Sequence, residues 1–251
     1  MTMMRAGSML WKVGCMVVAA TMVAPAGPAL LAQQKAADGA PAATPGVESV
    51  IRQMDAASAR FQSAEADFRW DLYERVVKQT TTETGRIYFV RKGPATQMGA
   101  KFLPPSARLL EYKDGKMRMY TPGTNHLTEL ATGTNQARYE SFLTLGFGGS
   151  GKDLAKSWTI SDLGPEQVGA GSAAARTEKL DLVPKEQTVR NMFTHITIWV
   201  DLQRGISLKQ QFFTPSGDQR TAEYSNIRYN QKVDLGDFAI KTDKKTTIER
   251  H

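Results

Sequence analysis

Thiol chemistry is the first thing this chain lacks. Among 251 residues there is one cysteine, Cys15, and too little apolar sequence precedes it for a lipidated N-terminus. If the segment around it is a removed leader, as read below, the processed chain has no thiol. Disulfides, zinc–thiolate sites and cysteine nucleophiles are then excluded, and the core alone must hold the fold. Histidine is nearly as scarce. His126, His195 and His251 stand far apart, with no H-x-x-x-H spacing, and no Asp-rich calcium loop appears. Ser141, Ser150 and Ser157 lack the G-x-S-x-G frame of a hydrolase nucleophile. Two carboxylate pairs, Asp67/Asp71 and Glu178/Asp181, sit close in sequence, but the first alternates on the polar side of a strand, where solvation is the ordinary role. No catalytic residue, metal or cofactor is expected, and the chain reads as a non-enzyme.

Long apolar runs are missing as well. The main one, residues 13–23, is too short to span a bilayer comfortably. Arg5 and Lys12 precede it and small residues and prolines follow as far as Ala32, the layout of a secretory signal peptide covering residues 1–32. Residues 33–44, "QQKAADGAPAAT", have no periodicity and read as a flexible linker. Residues 45–251 then form one domain. Loss of Arg5 and Lys12 with the leader lowers the net charge from +7 to +5. The remaining basic residues are scattered, without the basic helix or aromatic platform that nucleic-acid binding needs. An exported, soluble monomer is expected.

What is present is hydrophobic periodicity of two kinds. "TPGVESVIRQMDAASARF" predicts a helix, with Thr44 as cap, Pro45 in the first turn and Val47, Val50, Ile51, Met54 and Phe61 on one side. From Ala66 the period becomes two. Phe68, Trp70 and Leu72 alternate with charges, Ile87, Phe89 and Arg91 share a face, and Leu110 and Tyr112 run through Asp114-Gly115 into Met117 and Met119, a strong hairpin signal. "LTEL", "WTISDL", "TEKLDLVP", "HITIWVDLQ", "ISLKQQFFTP", "RTAEYSNIRYN" and "DFAIK" continue as strands, and "ARYESFLTLGF" and "KDLAKSW" read as helical. Ten or eleven strands in hairpin order with helices at two places predict a mainly β, α+β fold. Its core is one strongly curved antiparallel sheet with helices packed on it.

"GFGGSGKD", residues 146–153, imitates a nucleotide site. Gly146, Gly148 and Gly151 fit G-x-G-x-x-G, and Lys152 follows. A phosphate loop needs a buried parallel strand before the glycines and a hydroxyl after the lysine. Here an amphipathic segment precedes them and Asp153 replaces the hydroxyl. The run is therefore expected to end a helix and act as a mobile connector that binds no nucleotide.

The concave side of such a sheet must be covered. Phe68, Trp70, Ile87, Phe89, Leu110, Met117, Met119 and Ile198 supply it with large, adaptable side chains, which suit an ordinary core and equally a site for flexible acyl chains.

The order of these elements resembles the LolA-type outer-membrane lipoprotein carriers over nearly all of residues 46–240. It runs from the first helix into "RFQSAEADFRW", "GRIYFVR", "YKDGKMRMYTPGTNHLTEL", "LDLVPKE", "ITIWVDLQRGISLKQQFFTPSGDQRTAEYSNIRYN" and "VDLGDFAI". The resemblance implies an unclosed β-barrel with a helical lid. It also implies a periplasmic chaperone that takes lipid-modified proteins from an inner-membrane ABC exporter, shields their acyl chains and passes them to an outer-membrane receptor. Arg91 falls where that family has an arginine that ties the lid by hydrogen bonds. Related folds include periplasmic lipid- or lipoprotein-sensing modules that regulate an envelope response without transport, which is the alternative expectation.

Overall fold

The computed structural model describes residues 46–93, 95–131, 133, 145–169 and 174–251. The leader, the linker and the greater part of "ARYESFLTLGF" lie outside them. The first helix, α1 (Val47–Arg60), begins after Gly46, which serves as N-cap without a side-chain bond, and buries Val50, Met54, Ala57 and Ser58. Two shorter helices follow, α2 (Gly151–Ser157) and α3 (Gln187–Arg190).

Twelve strands form a single sheet among the described residues: β1 (Ser63–Glu74), β2 (Gln79–Lys92), β3 (Ala95–Phe102), β4 (Arg108–Lys113), β5 (Lys116–Thr121), β6 (His126–Ala131), β7 (Trp158–Val168), β8 (Ala175–Pro184), β9 (His195–Asp201), β10 (Ile206–Phe213), β11 (Gln219–Tyr229) and β12 (Thr247–Arg250). Their order is β12-β6-β5-β4-β3-β2-β1-β11-β10-β9-β8-β7. Every pairing is antiparallel except β12 with β6. The sheet curves, as the alternating pattern and short connections predict, and does not close, as the resemblance implies.

Four elements differ from the sequence reading, the short helix α3 being one that it did not contain. "DFAIK" is not a strand: Leu235–Phe238 is a 3-10 turn held to the convex side of the sheet. There Phe238 packs edge-on to Tyr88 at 4.8 Å, and Arg86 bonds Asp237 at 2.9 Å. β3 was hidden by its glycine. A Cβ on Gly99 would lie 2.4 Å from the Tyr88 ring, so the residue that weakens the strand pattern is the one that admits Tyr88. β12 is short, fully exposed and pairs in parallel, none of which leaves an alternating signal. The Asp114-Gly115 hairpin forms as read, both residues having positive φ (51° and 69°).

Two apolar clusters lie on the inner face. One joins Val50 and Met54 of α1, Leu154 of α2 and Val189 of α3 to Leu180, Leu182, Ile196, Ile198 and Val200. The other is built on β1–β4 and β10, with Phe61 and Phe147 packed into it. The helices thus fill one half of the concavity, and the other half contains the site.

Candidate functional site

The inward register of the open half follows from strand pairing. Ala66 faces Ile87, Ile87 faces Ala100 and Ala100 faces Leu110, while Phe89 faces Met98 and Trp70 faces both Glu83 and Ala222. Small alanines alternate with large side chains along this belt and leave space above them. The result is a cavity of about 420 Å³ lined by Trp70, Leu72, Ile87, Phe89, Met98, Ala100, Leu110, Phe193, Phe212, Ala222 and Tyr224, with Asp71, Thr81, Glu83, Arg108, Gln210, Arg220 and Thr221. That volume is typical of a pocket for one small ligand or chain, ~300–1,000 Å³.

Of the eight side chains expected to hold acyl chains, Trp70, Ile87, Phe89 and Leu110 line this cavity. Phe68 is buried beside it in an aromatic group, 5.4 Å from Trp70 and 5.0 Å from Phe102. Met117 packs on the same cluster from β5, and Met119, one inward position further along, is 39% exposed. Ile198 is fully buried in the other cluster, under the helices. Pattern alone marks all eight as inward, but only the placement of the cover separates open from filled positions.

Arg91 continues the inward face of Ile87 and Phe89 to the end of β2. Its guanidinium donates to the Ser58 carbonyl at 2.7 Å, to the Ser58 hydroxyl at 3.3 Å and to the Gly148 carbonyl, and it lies over the Phe61 ring. One side chain on the sheet therefore ties the end of α1 to the glycine loop. This satisfies carbonyls that the helix end and the turn would otherwise leave open.

The glycine run is packed, which corrects the expectation of a mobile connector for residues 145–151. Leu145, Phe147 and Gly151 are buried. Gly148 has φ +75° and a Cβ there would meet Phe61 at 2.3 Å, while a Cβ on Gly151 would meet the Ile51 carbonyl at 2.5 Å. Glycine is needed here for close approach, not looseness. Asp153 lies in the first turn of α2, where its amide donates at 3.0 Å to Oγ of Ser150, the N-cap. The bond from Lys156, then that from Ser150, holds its carboxyl below the usual range. Between the glycines Phe147 stacks on Phe89 at 4.1 Å and stands edge-on to Tyr224 at 4.9 Å. The loop thus places an aromatic wedge against two residues that line the cavity.

Sequence reading missed the polar groups. Arg108 forms a two-pronged pair with Glu83 at 2.7 and 2.8 Å and lies 3.6 Å from the centre of the Phe102 ring. The pair lowers the Glu83 pKa, chiefly through that hydrogen bond. Burial raises the Tyr224 phenol far above its ordinary value. At the other end of the inner face Glu178, 4% exposed, is pushed up to about 7 by burial and then by its hydrogen bond with Asp162. The sequence-adjacent pair Glu178/Asp181 is split: Asp181 instead bonds His195 at 2.6 Å, and that ring stacks on Phe213. Partners that only strand pairing brings together leave no local trace in a sequence. Among the described residues no helix is long and apolar enough to cross a membrane, and no group of three potential metal ligands occurs.

The chain is an open, strongly curved sheet half filled by helices around an apolar cavity. Neither a family model nor a curated protein matches the chain. Among solved structures, an uncharacterised conserved protein from Thermus thermophilus is similar at a TM-score of 0.50 and 10% identity, with 81% of this chain and 98% of that one covered. MucB is similar at a TM-score of 0.50 and 12% identity over 78% of this chain and 62% of that one. A LolA superfamily protein from Nitrosomonas europaea aligns at a TM-score of 0.38 and 11% identity, over 78% and 98%. At 10% and 12% identity the first two likenesses are of fold alone.

Proposed function

We propose that this protein is a periplasmic carrier that binds the acyl chains of lipid-modified proteins in the cavity and ferries them from the inner to the outer membrane. It would take them from an ABC exporter and pass them to an outer-membrane receptor. The observation that supports this most is the cavity itself: an apolar belt of Trp70, Ile87, Phe89, Met98, Ala100 and Leu110 beneath a polar rim of Asp71, Glu83, Arg108 and Arg220. Each methylene buried gains about 0.8 kcal/mol, so an unaided long chain would leave such a site very slowly. A carrier therefore needs a cover that competes with its cargo. Arg91 supplies one by tying α1 to the glycine loop. If a methylene takes up about as much room as a water, roughly 30 Å³, the cavity of about 420 Å³ holds one chain. A cargo with more chains must displace the cover, and binding then exchanges cover contacts for lipid contacts.

The test is displacement of a fluorescent fatty-acyl probe from the wild type and from Ala100→Leu and Ala222→Leu. Both substitutions fill the cavity with apolar atoms and add no charge. Each is expected to weaken the probe about tenfold or more while the fold persists. Folded variants that bind as the wild type does would place the site elsewhere. Arg91→Leu is expected to accept cargo and release it poorly, because the closed empty state no longer competes.

A further inference from the structure

We propose that the tip of the β1–β2 hairpin is a docking prong for an anionic phospholipid bilayer, so that a chain passes between membrane and cavity without crossing water. The proposal rests on the acyl-carrier reading and adds the surface to which the carrier binds. The tip is Arg75-Val76-Val77-Lys78, beyond the last pair of the hairpin, Glu74 with Gln79. Val76 is 84% exposed and Val77 62%, the two most exposed large hydrophobic side chains among the described residues. Turns ordinarily take Gly, Asn, Asp or Pro, whose backbones suit them. Two adjacent β-branched residues gain nothing there from the fold, and Lys78 even has a positive φ of 53°.

The prong is braced. The Arg75 amide donates to Asp218 at 2.8 Å and its guanidinium to the Ser216 carbonyl at 2.9 Å, which fixes the tip to the β10–β11 turn. Met192 and Leu103, also exposed, lie in loops at the same end of the sheet. Charge favours an anionic surface. Arg75 and Lys78 flank the valines and Arg220 is exposed nearby. Of the acids at this end among the described residues, Asp71 and Glu83 pair with Arg69 and Arg108. Asp218 keeps its charge while accepting from the Arg75 amide and the Ser216 hydroxyl, and Glu74 adjoins the tip, so the three cations exceed Asp218 and Glu74 by one charge. Leu72 and Thr81 pair across the same hairpin and both line the cavity. Valines lowered into the headgroup region would thus bring the end of the cavity to within about four residues of strand, roughly 13 Å, of the bilayer.

The experiment is flotation of protein purified from the periplasm with phosphatidylglycerol-containing and with pure phosphatidylcholine vesicles, at low and high salt. It compares the wild type with Val76→Ser/Val77→Ser and with Lys78→Glu. Both variants alter exposed positions, and uptake of a water-soluble acyl probe checks that the cavity is intact. The expected result is salt-sensitive wild-type binding to the anionic vesicles, weakened about tenfold or more by the double substitution and also by Lys78→Glu, with probe uptake unchanged. Equal vesicle binding by wild type and double variant overturns the proposal. So does a wild type that takes up probe but binds no vesicles, which would leave the prong to a protein receptor. Loss of soluble-probe uptake in the wild type itself would instead refute the carrier reading.

Discussion

Truncating the wedge, Phe147→Ala, separates a cavity that ends at Phe89 from one that the glycine loop regulates. Phe147 is 1% exposed, stacked on Phe89 with the rings 8° apart, and edge-on to Tyr224. As an ordinary core truncation it costs about 3–5 kcal/mol, of which a void of roughly 100 Å³ accounts for about 2.4 kcal/mol at ~24 cal/mol per Å³. The void would border two rings that also line the cavity, so rotation of either joins the spaces. Three more methylenes, at roughly 30 Å³ each, would then be accommodated. Each gains about 0.8 kcal/mol, so a long-chain probe should bind at least tenfold more tightly to the variant than to the wild type. A probe shorter by four carbons should gain little. The assay is a chain-length series of acyl probes alongside urea denaturation of each protein. If stability falls as expected but long and short probes change alike, Phe147 is core and does not bound the site.

Two further outcomes follow from buried groups. The Glu178 pKa is raised to about 7 from 4.5. The folded state therefore holds this proton more tightly than the unfolded one, and the contribution to stability is full below pH 4.5 and is lost as pH rises through 7, by about 3 kcal/mol. Glu178→Gln should flatten that loss, so the stability difference between variant and wild type should grow from pH 5 to pH 8 in urea denaturation. A constant difference would show that the carboxyl is not held protonated. Gly148→Ala meets both a positive φ and the Phe61 ring and should cost about 1–3 kcal/mol in the same assay. A variant as stable as the wild type would show that the loop yields there.

The fold was legible because most of its strands carry an alternating inner face and their turns carry Gly or Asp-Gly. Phe68, Trp70, Ile87 and Phe89 all point inward as their spacing requires. What periodicity could not supply is which inward positions stay open. Ile198 and Ile87 look alike in sequence, yet the first lies under α1 and α2 while the second lines the cavity. That difference is set by where Gly151 lets α2 approach Ile51, a contact between segments far apart in the chain. β3 was lost because Gly99 serves Tyr88 rather than its own strand. The ion pairs at the rim and the Glu178–Asp162 pair were invisible because register across strands, not spacing along them, brings the groups together. The exposed Val76-Val77 tip could have been noticed from sequence: two β-branched residues fill a turn between alternating runs.

Photo-crosslinking with a fatty acid bearing a diazirine near its methyl end, followed by peptide mapping, reads directly where an acyl chain binds. Saturable labelling of β2, β3 and β4 at Ile87, Met98 and Leu110, competed by unlabelled acyl chain, is the result expected. Label confined to the convex face, or labelling that no acyl competitor reduces, would contradict it.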